Sequence, residues 1–303
     1  MFSNKKIDKK CKISVLTPTY NRGELLKKLY NSLLQNLNKN IKIEWLIMDD
    51  GSTDNTRNIV AEFREENKIE IKYYYQENQG KMIAINKLVE QATGDLIIDC
   101  DSDDYFTQDA FKIVKEEYEK NKNNKEIYGL CFLKNDQNGN NMGNNFKNIK
   151  TTMFDLYFKE GETGEKAIVF IADIRKKYKH EIENNEKFVT EARMYHKMDE
   201  KYYMICINKP IMICEYQKEG YTKNIKKEFQ ENPYGYYKYF QEILQKNMKG
   251  VKLNKRLYAI KHYILFSYLT KSKNNVKQIR DLKNKILYVI LYLPGILKSR
   301  NFK

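Results

Sequence analysis

Short apolar runs alternate with amphipathic segments along the first hundred residues of this 303-residue chain. Residues 13–17 and 43–48 are typical of buried strands, whereas residues 24–36 and 54–66 carry apolar side chains at helical spacing. Strands and helices that alternate with short connections favour parallel strands with helices on both faces. We therefore predict an α/β fold with a mainly parallel central sheet.

The alternation continues, less regularly, toward residue 215. The pattern predicts a further helix at 81–91, a mobile loop at 135–148, and strands at 69–75, 96–99, 127–133, 167–172 and 202–207. Beyond residue 215 the chain turns basic and helical in pattern. We predict two parts, an α/β domain of residues 1–215 and a basic, mainly helical extension of residues 216–303.

Polar residues follow several of the predicted strands. Thr17, Asp50 and Asp101 lie at or just beyond strand carboxyl ends, which is the edge where open α/β sheets bind ligands. Four of the six residues 99–104 are Asp, and such carboxylates repel each other unless cations or donors lie among them. Hard oxygen ligands suit Mg²⁺ or Mn²⁺ accompanying a diphosphate. The alternative is a solvated acidic turn or a helix N-cap.

The formal net charge is +15, and it is unevenly placed. Residues 216–303 contain 20 Lys and Arg against 5 Asp and Glu, whereas residues 1–215 contain 35 of each kind. Such asymmetry indicates an anionic partner, and helical spacing of Lys, Tyr, Ile and Leu in residues 253–269 and 279–297 favours an anionic membrane surface. The alternatives are that these helices pack on the α/β domain or form a dimer. We do not expect nucleic-acid binding.

The cysteines and the amino-terminal sequence both indicate the cellular compartment of the protein. The five cysteines are scattered and form no C-x-x-C pair, which argues against a disulfide framework or a structural zinc site. Residues 1–12 are polar and basic without the apolar core of a signal peptide, and no apolar run is long enough to span a membrane. We therefore expect a cytoplasmic protein, peripheral on the inner face of the cell membrane.

Four short motifs occur in a characteristic order. They are residues 15–22 (VLTPTYNR), 48–54 (MDDGSTD), 77–81 (ENQGK) and 101–104 (DSDD). Over residues 11–110 the chain closely resembles the family 2 glycosyltransferases of the GT-A fold. A fainter similarity, at residues 164–166, 186–191 and 213–216, is to the acceptor half of bacterial members, which typically build surface polysaccharides. The resemblance implies transfer of a sugar from a nucleotide sugar, UDP-linked, to a glycan or lipid-linked glycan acceptor.

The resemblance assigns roles to residues around the nucleotide. It implies that Thr17 and Asp50 contact the base, and a carboxylate that accepts from the uracil imide N–H favours uridine. Arg22 and Lys81 would hold the diphosphate through charge-assisted hydrogen bonds. Gly80 would let the backbone pass close to the ligand.

The D-x-D match is formed by Asp101 and Asp103. By resemblance, Asp103 binds the metal, Mn²⁺ or Mg²⁺, and Asp101 lies near the ribose or the water shell of the metal. Such a metal stabilises the charge that grows on the leaving group. Asp99 and Asp104 are left without an assigned role.

Transfer also needs a base for the acceptor hydroxyl. The family supplies it from an acidic pair after the later strands, and the matching position here is Glu191, with Ala192 in place of the second acid. Asp173, Glu186 and Glu165 remain alternative bases. One base acting on one side of the sugar implies direct displacement with inversion.

Two other functions are compatible with a nucleotide fold. A sugar nucleotidyltransferase usually carries a Gly-rich, basic signature after the first strand, and residues 17–22 lack it. A non-catalytic binding protein on the same fold is disfavoured by the presence of Asp50, Asp101 and Asp103.

Overall fold

The computed structural model describes residues 10–215, 225–272 and 276–300. The described residues group into two compact units. The first comprises residues 10–151, 163–179 and 201–215, and the second comprises residues 152–162, 180–200, 225–272 and 276–300. Two segments before residue 215 thus group with the C-terminal helices, and the domain boundary expected from charge stays a prediction.

The first unit contains a mixed sheet flanked by helices. Its strands are β1 (Cys11–Thr19), β2 (Ile41–Asp49), β3 (Glu70–Tyr75), β4 (Leu96–Asp99), β5 (Asp104–Phe106), β6 (Ile127–Asp136), β7 (Lys150–Thr151), β8 (Lys166–Ile171) and β9 (Tyr203–Cys214). Its helices are α1 (Gly23–Gln35), α2 (Thr56–Glu65), α3 (Lys81–Gln91), α4 (Ala110–Asn121) and α5 (Ala172–Arg175).

The strand order in the described sheet is β3-β2-β1-β4-β8-β6-β9-β5, with β7 paired to β9. The first four strands in this order pair in parallel, as the sequence predicts. The other half is mixed, because β8 is antiparallel to both β4 and β6, while β9 is parallel to β6. In the parallel half, the register brings Thr19 opposite Asp49 and Leu16 opposite Asp99. The carboxyl ends of β1, β2 and β4 therefore meet at one edge.

Both faces of the parallel half are covered. Val15 and Trp45 belong to one apolar cluster with residues of α1, α2 and α4. Leu16 and Leu46, the next residues along each strand, are also fully buried and lie outside that cluster. Because successive strand side chains alternate between faces, they point to the other side, where α3 packs against β1 and β2. Burial on both faces explains why these strands are continuous apolar runs.

The second unit is helical and built around an aromatic core. Its helices are α6 (Ala192–Met198), α7 (Ile225–Glu231), α8 (Pro233–Gln245), α9 (Leu253–Leu269) and α10 (Leu282–Arg300), with a π-helical turn at Asp155–Lys159 and a 3₁₀ turn at Val276–Gln278. Tyr263 of α9 stacks on Tyr237 of α8 with ring centroids 5.7 Å apart. Among the residues that the structure describes, we find no helix with the length and apolar content to cross a bilayer.

Candidate functional site

Two ion pairs lie just beyond β4. The ammonium of Lys81 contacts both carboxylate oxygens of Asp101, at 2.7 and 2.8 Å. Arg22 Nη1 donates to Asp103 Oδ2 at 3.0 Å. Lys81 opens α3 and Arg22 precedes α1, so the turn after β4 receives one cation from each of two neighbouring loops. The structure thus brings together four of the residues selected from sequence.

The electrostatics of this turn suit a further cation. Burial raises the pKa of Asp103, Arg22 opposes that shift, and the nearby charges of Asp101 and Asp104 add to it. Burial and the neighbouring carboxylates thus disfavour the ionised form of Asp103, and a divalent ion bound there would favour it. The donors are carboxylate oxygens, which Mg²⁺ and Mn²⁺ prefer, so these residues fit a divalent ion.

Asp50 supports the loop that carries Lys81. Its side chain is almost fully buried, and its Oδ1 accepts from Gln76 Nε2 at 2.6 Å and from the Gln79 N–H at 2.8 Å. Its Oδ2 accepts from the Gly80 N–H at 2.8 Å. Gly80 has φ 94°, a left-handed conformation that favours glycine at the start of α3. The carboxylate therefore holds the backbone of residues 76–80. Its contact with the nucleotide base stays a prediction.

Thr17 and Thr19 both lie near the end of β1 but differ in their bonding. The Thr17 hydroxyl is buried and accepts from Trp45 Nε1 at 2.9 Å, so it joins the strand end to the core. The contact of Thr17 with the nucleotide base also stays a prediction. Thr19 is buried, and its hydroxyl has no hydrogen-bond partner among the described residues. Sequence reasoning missed Thr19, because the resemblance assigns a role in the first motif to Thr17 and none to Thr19.

Asn21 joins two loops of the site and is a second residue that sequence reasoning missed. Its backbone is left-handed, with φ 52°, and its N–H donates to Ser52 Oγ at 2.9 Å. Its side-chain Oδ1 accepts from the N–H groups of Thr53 at 2.7 Å and Asp54 at 3.3 Å. These bonds fix the backbone immediately before Arg22. Asn is one of the few residues other than Gly that tolerate this conformation.

Asp104 belongs to a largely buried cluster next to the D-x-D turn, in which Glu165 is partly exposed. Lys134 Nζ lies 2.7 Å from Asp104 and 3.3 Å from Glu165, and the Cys214 thiol lies 3.7 Å from Glu165. The ligand atoms of the two acids and the thiol lie within 4.8 Å of one another, a spacing that could hold a metal. The ammonium already supplies a cation there, since the two carboxylates outweigh the effect of burial and raise the pKa of Lys134 well above its usual value. Asp104 is thus charge-paired within the fold.

Asp99 is turned toward a different partner. Its Oδ2 lies 3.7 Å from Nη2 of Arg175, a fully buried guanidinium that also donates to the Tyr178 carbonyl at 2.7 Å. Asp173, one of the alternative bases, lies two residues before Arg175 and is exposed. The carboxylate of Asp99 therefore faces a cation of α5, the helix that follows β8.

Two of the base candidates lie in the second unit. Glu186 accepts from the N–H groups of Tyr234 at 2.6 Å and Gly235 at 2.7 Å, and so it caps the first turn of α8. Glu191 lies at the start of α6, is partly exposed, and accepts from the Tyr195 hydroxyl at 3.1 Å. Its role as the base stays a prediction.

Comparison with known sequences shows the relationship of this chain. The family model described as glycosyl transferase family 2 matches residues 14–182, more than half of the chain. An uncharacterized glycosyltransferase of Mycoplasma genitalium is 32% identical over 128 residues, which are 41% of this chain and 43% of that protein. The poly(ribitol-phosphate) beta-N-acetylglucosaminyltransferase TarS of Staphylococcus aureus is 32% identical over 101 residues, which are 33% of this chain and 18% of that protein. The matches thus cover less than half of these relatives.

Solved structures show the same fold at low sequence identity. S. aureus TarS 1–349 in complex with UDP-GlcNAc has a TM-score of 0.59 and 17% identity over 95% of this chain and 89% of that chain. The mannosyltransferase PcManGT from Pyrobaculum calidifontis, in complex with GDP-Man and Mn²⁺, has a TM-score of 0.56 and 14% identity over 96% of this chain and 83% of that chain. The predicted GT-A fold is confirmed, and the chain belongs to glycosyl transferase family 2.

Proposed function

We propose that this protein is an inverting, metal-dependent glycosyltransferase. It would move a hexosyl or N-acetylhexosaminyl group from a UDP-sugar to a hydroxyl of a growing bacterial surface glycan, at the inner face of the cell membrane. The observation that carries the proposal is the pairing of Asp101 with Lys81 and of Asp103 with Arg22 at the ligand-binding edge of the sheet. The TarS and PcManGT structures are complexes with UDP-GlcNAc and GDP-Man, which supports a nucleotide sugar as the donor.

The two ion pairs suggest how charge is exchanged when the donor binds. Without a ligand, each carboxylate neutralises one cation of the protein. A diphosphate would take Lys81 and Arg22 as hydrogen-bond donors, because cation–phosphate bonds are strong and directional for Arg. Asp103 would then hold Mn²⁺ or Mg²⁺, which stabilises the charge on the leaving diphosphate, with Asp101 at the ribose or the metal's water. The total charge of the site stays nearly balanced in both states.

The remaining step is proton removal from the acceptor. The acceptor oxygen attacks the anomeric carbon as Glu191 takes its proton, and the bond from that carbon to the UDP oxygen breaks with its electrons going to UDP. Attack opposite the leaving group inverts the anomeric centre. Glu186 is engaged as a helix cap and Glu165 is paired with Lys134, which supports Glu191 among the acids considered.

UDP binding is expected to depend on divalent metal. We expect UDP affinity, measured by titration calorimetry, to be at least about tenfold weaker in EDTA than with Mn²⁺, because Asp101 and Asp103 repel a bare diphosphate. Asp103→Asn should remove most of this metal-dependent gain. Asp109→Asn is the matched control, since Asp109 is an exposed residue before α4 and Asn preserves its capping preference. Equal UDP affinity with and without metal would remove the ion from the mechanism.

Product analysis separates the proposed activity from its rivals. A glycosyltransferase releases UDP from the donor, whereas a sugar nucleotidyltransferase releases or consumes pyrophosphate. Incubation of the protein with Mn²⁺, UDP-sugars and glycan acceptors, followed by measurement of both products, decides between them. Tight UDP-sugar binding without turnover would favour the non-catalytic alternative.

A further inference from the structure

The outer face of α10 is an exposed apolar stripe. Six of its side chains are 54–71% exposed, and they are Leu282, Ile286, Val289, Ile290, Leu293 and Leu297. At about 100° per residue these positions fall within an arc roughly 100° wide on one side of the helix. We call this set the apolar stripe.

The opposite face of α10 is firmly packed, so the stripe is a fixed surface. Tyr288 and Asn284 are buried, and the Tyr288 ring lies 6.0 Å from that of Tyr263 in α9. A Cβ on Gly295 would come within 2.9 Å of Ile264 Cγ2, so this glycine allows α10 to approach α9 closely. A surface helix packed in this way normally turns polar residues outward, and α10 instead is apolar on both sides. An exposed apolar surface of this extent marks an interaction site.

The charges around the stripe identify the kind of partner. The sequence of α10 contains Lys283, Lys285, Lys298 and Arg300 and no acidic residue. By helical geometry Lys283 and Lys285 lie on opposite borders of the stripe, and the other two lie at its C-terminal end. An apolar face bordered by cations fits the interface of an anionic lipid bilayer. A symmetric dimer through the same face would bring like charges together, which disfavours a second copy of the chain.

We propose that the apolar stripe of α10 inserts into the surface of an anionic phospholipid bilayer, with the helix lying in the plane of the interface. The basic side chains at its borders would contact lipid phosphates. This inference deepens the proposed function, because it names the surface that would hold the enzyme at the inner face of the membrane. It does not depend on the chemistry of the sugar-transfer site.

Co-sedimentation with lipid vesicles tests the proposal on the full chain. We expect the wild-type protein to bind vesicles that contain phosphatidylglycerol, and to bind at least tenfold less to pure phosphatidylcholine or at high salt. Ile290→Ser/Leu293→Ser should lower binding to the anionic vesicles at least roughly tenfold without any change of charge. The matched control is Leu37→Ser/Leu253→Ser, which removes two exposed apolar side chains outside α10, 49% and 60% exposed.

Several outcomes would overturn the proposal. They are a wild-type protein that ignores anionic vesicles, a stripe variant that binds as the wild type does, or a control that loses as much binding. A wild-type dimer that the stripe variant converts to a monomer, measured by light scattering, would instead identify a second copy as the occupant. UDP affinity and the thermal midpoint are measured on every variant. Unchanged values show an intact fold, and so they separate a failure at the lipid surface from a failure of the proposed chemistry.

Discussion

Replacing Glu191 with Gln is expected to lower the rate of sugar transfer by about 10²–10⁴-fold, the typical contribution of a general base. Gln has nearly the same shape and keeps an acceptor oxygen for the Tyr195 hydroxyl, which lies 3.1 Å from Glu191 Oε2. It cannot take a proton from the acceptor. Affinity for the UDP-sugar, measured by calorimetry, should therefore stay unchanged while turnover falls.

A second carboxylate of the same unit provides the control for this experiment. Glu200 is exposed at the end of the turn after α6, and Glu200→Gln should leave both affinity and turnover at wild-type values. Wild-type turnover in Glu191→Gln would contradict the assignment. Asp173, which is exposed, would then be the next residue to replace.

The largest effect on stability is expected at Glu44, a fully buried carboxylate in β2. Lys12 and Lys72 each place an ammonium 2.9 Å from it. The backbone N–H groups of Thr93 and Gly94 donate to it at 2.6 and 3.1 Å. Glu44→Ala removes this buried acceptor from these four donors, and we expect the free energy of unfolding, measured in urea, to fall by about 3–5 kcal/mol.

Glu70 is the matched control for Glu44, because it pairs with the same two lysines. Its side chain is 48% exposed, so water can replace the ion pair. Glu70→Ala should lower the free energy of unfolding by about 1 kcal/mol or less. Equal losses in the two variants would show that burial of Glu44 contributes nothing beyond a surface ion pair.

The contribution of Glu44 should also depend on pH. Burial by itself would raise the pKa of this carboxyl, but hydrogen bonds from Ser14, Lys12, Thr93 and Lys72 outweigh it and lower the pKa from 4.5 to about 2. A folded-state pKa below the unfolded value means stabilisation that is present above about pH 4.5 and lost as pH falls toward 2. The stability difference between wild type and Glu44→Ala should therefore shrink over that range.

Much of the parallel half of the sheet could be predicted from sequence. Strands β1 to β4 and helices α1 to α3 lie within about two residues of their predicted bounds. The buried strands β1, β2 and β4 form apolar runs bounded by turn residues, and the helices show apolar residues at helical spacing. The short strands β5 and β7 give no such signal, since a strand of two or three residues is too short to show a pattern of apolar residues. The sequence predicts a mobile loop at residues 135–148, whereas β6 continues to Asp136. The Oδ1 of Asp136 accepts from the N–H groups of Asn138 and Asn140, both at 2.9 Å.

The motifs selected the charged residues of the site but not their partners. Sequence order alone does not say that Arg22 pairs with Asp103 and Lys81 with Asp101. It also left Asp99 and Asp104 without roles, since their partners Arg175 and Lys134 lie far along the chain. Charge pairing depends on which loops the strand register brings to one edge, and that is a property of the sheet.

By itself the sequence determined the family, the parallel strands and the edge at which the candidate site residues collect, because these follow from local motifs and from the period of apolar residues. Only the tertiary structure decided which buried acid is compensated by which cation, and which side of α10 is exposed. Gly295 lies against Ile264, and this packing covers one face of α10 and leaves Ile290 and Leu293 exposed. The physical reason is that α10 is apolar on both sides, so periodicity has no polar face to identify and only packing selects the buried one.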